Sequence, residues 1–404
     1  MYPIPNDMPK DTGVYIKGDS LKDKHILFAI SGGIAATESI KVSRELRRYG
    51  AKLTILMSKD AEKIITPLAI SWASNSEVFT GWDYKMSQLE DFDLILVAPA
   101  TRNTISKHIY GIMDSPIMMA LSAARSKLTP TLFIPSMHQD LFDDPVTTEL
   151  IGQLDYENCF VLTDSAKEGK IKQLNPVDIV AKICNIINSS LPDRKKIAIT
   201  LGANRAPIDS VRAIQNASSG KTGWIISEYL YRNGHDVICI VGKTTERPNF
   251  NLPDIRLAGS PEEMLDKSII LASEEKKPDA WIHAAAVLDY FTEPEEGKRA
   301  SEQGDWQLTL TQGPKHIAEL MPLVGNCTKI GFKLESNVKE DFLIERSINQ
   351  ISRYNLDAVI ANIKEQIHDS NYPRARIIHK DGSVKKLKDY KELCVAIESV
   401  ILSS

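Results

Sequence analysis

Cysteine is sparse in this chain and never paired. Five residues in 404, Cys159, Cys184, Cys239, Cys327 and Cys394, stand singly with no C-x-x-C spacing, which excludes a disulfide framework and a thiolate zinc site. A large charge excess is also missing: a net charge of −4 leaves no electrostatic footprint for nucleic acid. No apolar run approaches the roughly 18 residues of a membrane span. The opening MYPIPNDMPKDTGVYIKGDS lacks the apolar core of a signal peptide, so a cytoplasmic location is expected. Two nucleotide fingerprints are absent as well. Gly220-Lys221-Thr222 looks like the end of a P-loop, but Gln215 stands where that motif needs its first glycine. Ser31-Gly32-Gly33-Ile34-Ala35-Ala36 is not G-x-G-x-x-G, and no acidic residue ends the following strand to hold a ribose, so a mononucleotide phosphate suits this turn better than a dinucleotide.

What is present is strand–helix alternation in a chain long enough for two or three domains. His25–Ile30 is a continuous apolar run of the buried parallel-strand type. A helix through Ile40, Val42 and Leu46 follows, then strand Lys52–Met57, a helix from about Lys59, and strand Asp93–Ala98. Such alternation predicts an α/β doubly wound sheet with ligands at the carboxyl ends of its strands. Residues 1–23 read as an extension outside this pattern, a surface arm. The polar, proline-bearing stretch 188–196 reads as a linker, dividing a first domain, 24–187, from a second, 197–404.

The second domain opens on Ile197 to Leu230, which reads as strand, polar glycine-containing turn and amphipathic helix. Helix N-termini and glycine turns present bare N–H groups to anions, and Ser218-Ser219-Gly220-Lys221 adds two hydroxyls and a cation where the helix begins. Further strands are expected at His235–Val241 and Ala280–His283.

The string Arg205, Pro207-Ile208-Asp209, Val211-Arg212, Ile214, Asn216, Ser218-Ser219-Gly220-Lys221, Gly223 resembles, at matching spacing, the signature of phosphopantothenate–cysteine ligases. Asn204 and Ala206 depart from that pattern, which has Thr and Glu there. Ala284–Tyr290, Lys298, Gly331–Glu335 and Asn355–Asn362 follow in the family's order. The first domain resembles the homo-oligomeric flavin-containing cysteine decarboxylases, through Ser31–Ala36, Thr66-Pro67-Leu68, Pro99–Thr104, Gly111, Asp114 and Pro135–His138. His138 and the cysteine-free stretch Ser165–Lys172 match the archaeal-type branch. Lys85 departs, standing where the family has its catalytic His.

These resemblances imply two Rossmann-like domains, a flavodoxin-like FMN domain and a nucleotide-binding ligase domain. By resemblance, Ser31, Gly32, Gly33 and Ile34 would face the FMN phosphate or ring edge, Ser58 would bond the phosphate, and Ala100, Thr101 and Asn103 would line the ring. Asn216 would hold an acyl-cytidylate and Lys298, with Mg²⁺, would offset the triphosphate charge. Ser218, Ser219, Gly220 and Lys221 would hold the phosphates, and Ala286, Asp289 and Phe332 the nucleotide. His138 would be the acid or base of decarboxylation and Lys85 a fixed charge; no metal-ligating residues are implied. The implied activity is coenzyme A biosynthesis from 4′-phosphopantothenate, cysteine and CTP, in an assembly of trimeric flavin domains and dimeric ligase domains, a dodecamer. A ligase whose flavin domain is silent and a non-enzymatic regulatory flavoprotein are the alternatives.

Overall fold

A computed structural model describes residues 13–154, 158–163, 170–171, 173–302, 304–367 and 369–403. The chain forms two compact units that meet in sequence at Ser190 and Leu191. Residues 1–12 of the extension and most of the Ser165–Lys172 stretch lie outside the described residues.

The first unit is a six-stranded parallel sheet. Its strands are β1 (His25–Ile30), β2 (Lys52–Met57), β3 (Val78–Phe79), β4 (Leu94–Ala100), β5 (Thr131–Pro135) and β7 (Cys159–Val161), in the order β3-β2-β1-β4-β5-β7. A two-stranded ribbon pairs β6 (Met137–His138) with β8 (Lys170–Ile171). The central strands β1 and β4 bury every residue but His25, because helices cover both faces. On one face Ile26, Phe28 and Ile30 pack against α1 (Ser39–Arg48), α2 (Pro67–Ser74) and α7 (Pro176–Ser189). On the other, Leu27 and Ala29 meet α3 (Arg102–Ile109), α4 (Pro116–Lys127) and α6 (Pro145–Leu154); α5 (Gln139–Phe142) is a short link. The period-2 split of one apolar run between two cores is the physical content of the buried-strand reading.

The expected helix from Lys59 is instead a 3₁₀ turn at Ala61–Lys63 followed by α2. Pro67 has no N–H to give to a continuing helix, and Thr66 caps the new start by accepting from Ala69. Residues 13–23 are more than a surface arm: Leu21 is fully buried in the core with Ile26 and Tyr49. An isolated apolar residue in a polar stretch carries no periodic signal, so its docking was invisible.

The second unit places β9 (Lys196–Leu201), β12 (Asp236–Val241), β13 (Asp254–Leu257), β14 (Ala280–His283), β17 (Thr328–Glu335) and β18 (Ala358–Ile363) in one parallel sheet, ordered β13-β12-β9-β14-β17-β18. The antiparallel strands β19 (Ala375–His379) and β20 (Val384–Leu387) extend its edge. The helices α8 (Lys221–Arg232), α9 (Pro261–Ala272), α10 (His316–Val324), α11 (Glu340–Tyr354) and α12 (Tyr390–Leu402) cover it. Ribbons β10 (Arg205–Pro207) with β11 (Ala213–Gln215), and β15 (Tyr290–Phe291) with β16 (Thr311–Gln312), stand outside the sheet. The turn expected between β9 and α8 is therefore a hairpin. Its three-residue strands are too short for alternation to reveal.

Both sheets begin in the middle and run outward in opposite directions, the Rossmann order rather than the 2-1-3-4-5 order of a flavodoxin. The direction of winding reverses between β1 and β4 in one unit and between β9 and β14 in the other, which opens a crevice at the carboxyl ends of each pair.

Candidate functional site

In the first unit, three adjacent parallel strands deliver the expected residues to one rim. Ser31–Ile34 leave β1, Ser58 leaves β2, and Ala100–Asn103 end β4 and open α3. Ser31 is buried, and its Oγ donates to Pro99 O at 2.6 Å while accepting from Thr101 N–H at 3.1 Å. That hydroxyl ties the β1 and β4 loops together across the crevice. Thr101 caps α3, its Oγ1 accepting from Thr104 N–H. Ser58 Oγ similarly accepts from Ala61 N–H at 3.2 Å. Gly32 is needed for close approach, since an added Cβ would fall 2.3 Å from Asp60 Cβ. The rim leaves Ile34 78% exposed, an apolar side chain in the open, and Asn103 is exposed as well. A buried floor at Ala100, an uncovered apolar side chain, hydroxyls and a free amide make a donor set that fits a flat ring with a polar edge and a phosphate tail.

Lys85 and His138 are placed differently. Lys85 lies exposed in the β3–β4 connection, 5.7 Å from the Tyr84 ring centroid. His138 is exposed at the end of β6, opposite Lys170, where it precedes α5. The Arg102 guanidinium, which sequence reasoning missed, pairs with Asp144 at 2.7 Å and so links the α3 start to the segment after α5.

In the second unit, Asn216 donates from Nδ2 to Ala286 O at 3.1 Å and Val287 O at 3.0 Å. The segment before α8 is thereby pinned to the loop that follows β14. Gly220 caps α8 with φ of +79°, and a Cβ there would fall 2.4 Å from Thr244 Cγ2; positive φ and crowding together require glycine. Ser218 Oγ accepts from Gly220 N–H, and Ser219 Oγ from Lys221 N–H. Lys221 is exposed at the first position of α8.

Asp289 is exposed and ion-paired with Lys315, the residue before α10. Phe332 is half-buried on β17, opposite Ile360 of β18. Lys298 is exposed on the long loop between β15 and β16. The Arg374 guanidinium was not foreseen. It donates to Thr222 Oγ1 at 2.8 Å and Tyr390 OH at 2.9 Å, lies 4.4 Å from the Tyr390 ring centroid, and has no carboxylate partner among the described residues. It thus adds a cation beside the positive end of α8. A lone Arg after a proline carries no motif, so only its contacts reveal it.

Buried imidazoles flank this site. Burial lowers His283, at the end of β14, to about 4, with the charges of His316 and Lys329 adding to the effect. His316 falls to about 4 by burial too, against the opposing pull of Glu262 and Asp289. Both are neutral at pH 7. Among the described residues no three His, Cys, Asp or Glu side chains converge as a metal site, and no helix is long and apolar enough to cross a membrane.

Residues 193–401 match the family model for the DNA/pantothenate metabolism flavoprotein C-terminal domain, and residues 15–188 match the flavoprotein model. A coenzyme A biosynthesis bifunctional protein CoaBC of Thermococcus kodakarensis is 34% identical over 353 residues, 86% of this chain and 87% of its own. Another from Methanocaldococcus jannaschii is 32% identical, over 92% of this chain and 93% of its own. Among solved structures, the DNA/pantothenate metabolism flavoprotein from Streptococcus pneumoniae is 25% identical, covering 52% of this chain and 99% of that one, with a TM-score of 0.45. With relatives that match it nearly end to end and a switch-point crevice in each unit, the chain belongs to the family of coenzyme A biosynthesis bifunctional proteins, CoaBC.

Proposed function

We propose that the second unit joins 4′-phosphopantothenate to cysteine at the expense of CTP, and that the first unit decarboxylates the product to 4′-phosphopantetheine. The observation that carries the ligase reading is the pinning of Asn216 to Ala286 and Val287 beside the SSGK turn. Carboxylates resist amines because the oxide is a poor leaving group. One carboxylate oxygen therefore bonds the α-phosphorus of CTP as pyrophosphate departs, and the amine of cysteine then displaces CMP from the carbonyl carbon.

The crowded anionic oxygens of the first step call for fixed positive groups. The N–H groups around Ser218–Lys221 hold phosphate, Lys298 and Lys221 supply charge, and Arg374 supports the same end of α8. Ala286, Asp289 and Phe332 flank the nucleoside. Among the described residues no cluster of carboxylates, imidazoles or thiols forms a metal cage, and Mg²⁺ would enter on the triphosphate, its habitual carrier.

For the first unit, the flavoprotein match and the rim described above support FMN. Bound flavin supplies a two-electron acceptor for the thiol-bearing carbon, so that CO₂ can leave, and afterwards returns the electrons. Ser31 holds the two loops together, Gly32 lets the β1 turn close against Asp60, Gly33 lies beside Pro99 and Thr101, and Ser58, Thr101 and Asn103 offer polar contacts. His138 moves a proton at the sulfur-bearing end of the substrate, while Lys85 acts as a fixed charge. A cytoplasmic enzyme of trimeric flavin units and dimeric ligase units is the assembly that goes with this reading. A silent flavin unit is the second reading, favoured by the exposed Lys85 in place of a histidine.

Pyrophosphate release from CTP, phosphopantothenate and cysteine tests the ligase, and anaerobic CO₂ release from phosphopantothenoylcysteine tests the decarboxylase. Purified protein should be yellow and release FMN, not FAD, on denaturation. Pyrophosphate release without CO₂ would decide for the silent unit.

A further inference from the structure

Lys298 sits on a loop of some twenty residues between two short strands, a length at which a chain is ordinarily mobile. Its backbone is nevertheless clamped on both sides by the turn of the β10–β11 hairpin. Ser210 N–H donates to Gly297 O at 3.1 Å, and Glu295 N–H to Ile208 O at 2.8 Å. The buried Asp209 carboxylate is the centre of the clamp. Its Oδ1 accepts from Val211 N–H at 2.8 Å and Arg212 N–H at 2.6 Å, and its Oδ2 from Arg212 Nη1 at 2.5 Å and Arg299 N–H at 3.3 Å. The Arg212 guanidinium then reaches Arg299 O through both terminal nitrogens, at 3.3 Å each.

Trp306, further along the same loop, closes the knot. Its ring centroid lies 5.3 Å from the Arg212 guanidinium carbon and 5.0 Å from that of Arg299. Its Nε1 donates to Glu295 Oε1 at 3.1 Å. Burial pushes the Asp209 carboxyl up, but the N–H donors of Arg212, Val211 and Arg299 and the Arg212 guanidinium outweigh it and hold the group at about 2. The acceptor is therefore charged throughout the neutral range, which makes each of these bonds charge-assisted.

We propose that Asp209 is the positioning residue for Lys298: by gripping Arg299 N–H and Arg212 while the adjacent Ser210 grips Gly297, it fixes the two residues that flank the lysine and so aims the ammonium at the phosphates. The proposal rests on the ligase reading of Lys298. Asp209 itself spends all its acceptor capacity on the protein and touches no substrate.

The test uses the full-length protein with its flavin. Asp209→Asn keeps the size but loses the charge, and should lower kcat for pyrophosphate release about 10- to 100-fold, the cost of a misplaced group. The KM for CTP should stay within about threefold, because binding without stabilising the transition state is not what the clamp supplies. Asp209→Asn in a Lys298→Gln background should cost little more than Lys298→Gln alone, since residues acting as a unit are not additive. A merely structural role predicts additive losses instead. Trypsin gives a readout independent of catalysis: cleavage after Lys298 and Arg299, followed by mass spectrometry, should run about tenfold faster in Asp209→Asn, as expected of a loop released from its contacts.

Wild-type cleavage at those bonds, or wild-type kcat, in Asp209→Asn overturns the proposal. Normal turnover by Lys298→Gln overturns the ligase role of that lysine, while the cleavage rates still decide whether the clamp exists. If Asp209→Asn loses its flavin or aggregates, Arg212→Gln decides, because it removes the guanidinium bonds to the Asp209 carboxylate and to Arg299 O while leaving Asp209 and its backbone donors in place. It should lower kcat and speed cleavage in the same direction by a smaller factor, and wild-type values there overturn the proposal.

Discussion

The two units share a winding pattern but build their sites in opposite ways. In the first, Ser31, Ser58 and Thr101 stand at the ends of adjacent parallel strands, so the sheet itself delivers them, and one hydroxyl bridge between Ser31 and the Pro99–Thr101 turn completes the rim. In the second, Asn216 meets Ala286 and Val287 from another segment, and Lys298 is held by a hairpin that precedes α8. The groups assigned to proton and charge work in the first unit, His138 and Lys85, are exposed and carry no such clamp among the described residues. A sheet edge suffices to bind a flat, rigid group. Stabilising charge that develops on a flexible triphosphate requires cations fixed from several directions, because only preorganised groups avoid reorganisation during reaction.

The largest expected effect separates the two sites outright. Lys298→Gln should reduce ligation by about 10²–10³ and leave the flavin spectrum and CO₂ release unchanged. His138→Ala should do the reverse, abolishing CO₂ release with FMN bound and pyrophosphate release intact. Asn216→Asp should also stop ligation, since it sets a negative charge beside a phosphoryl group. Loss of both activities in any of these variants would break the comparison.

A second difference is acid lability. His283 and His316 in the ligase unit and His108 in the flavin unit are each lowered by burial to about 4, and partly buried His25 is lowered too, first by burial and then by the charge of Lys52. Unfolded imidazoles titrate near 6.5, so between about 6.5 and 4 the unfolded chain binds protons that these folded ones refuse. Stability is thus present above 6.5 and lost as pH falls through that window, by about 2 kcal/mol per deeply buried imidazole at pH 5. The thermal transition of the ligase unit should fall further than that of the flavin unit between pH 7.5 and 5, read by calorimetry alongside flavin release. Equal shifts would show that the imidazoles are not the cause.

Ser31→Ala leaves Thr101 N–H without its buried acceptor and should weaken flavin retention by about 1–3 kcal/mol, measured by FMN titration of stripped protein, with ligation unaffected. A smaller effect is expected at Arg374: Arg374→Gln should raise the KM for CTP a few-fold, about 1 kcal/mol, with less change in kcat, as for a cation acting near the helix end. Lys85→His should be tolerated in the decarboxylase assay.

Much of the first site was legible because a turn at a strand end keeps its residues consecutive. Ser31–Ile34 and Ala100–Asn103 could be read as two short strings, and the sheet needed only to place them side by side. The ligase strings were equally legible, yet Asp289 was assigned to the nucleotide without its partner Lys315, and Arg374 was missed. Those partners lie far away in sequence, where neither period nor spacing reports a contact.

The sequence by itself determined two doubly wound α/β units, since continuous apolar runs followed by amphipathic helices can bury their surface only as parallel strands covered on both faces. It also determined which glycine turns and polar strings lie at strand ends. Only the tertiary structure decided that the opening turn of the ligase unit is a hairpin, that its Asp209 faces inward onto Arg299, and that Arg374 reaches Thr222. The physical reason is that a buried carboxylate or guanidinium takes whatever partners packing brings within about 3 Å, and that geometry exists only once residues distant in the chain have been brought together.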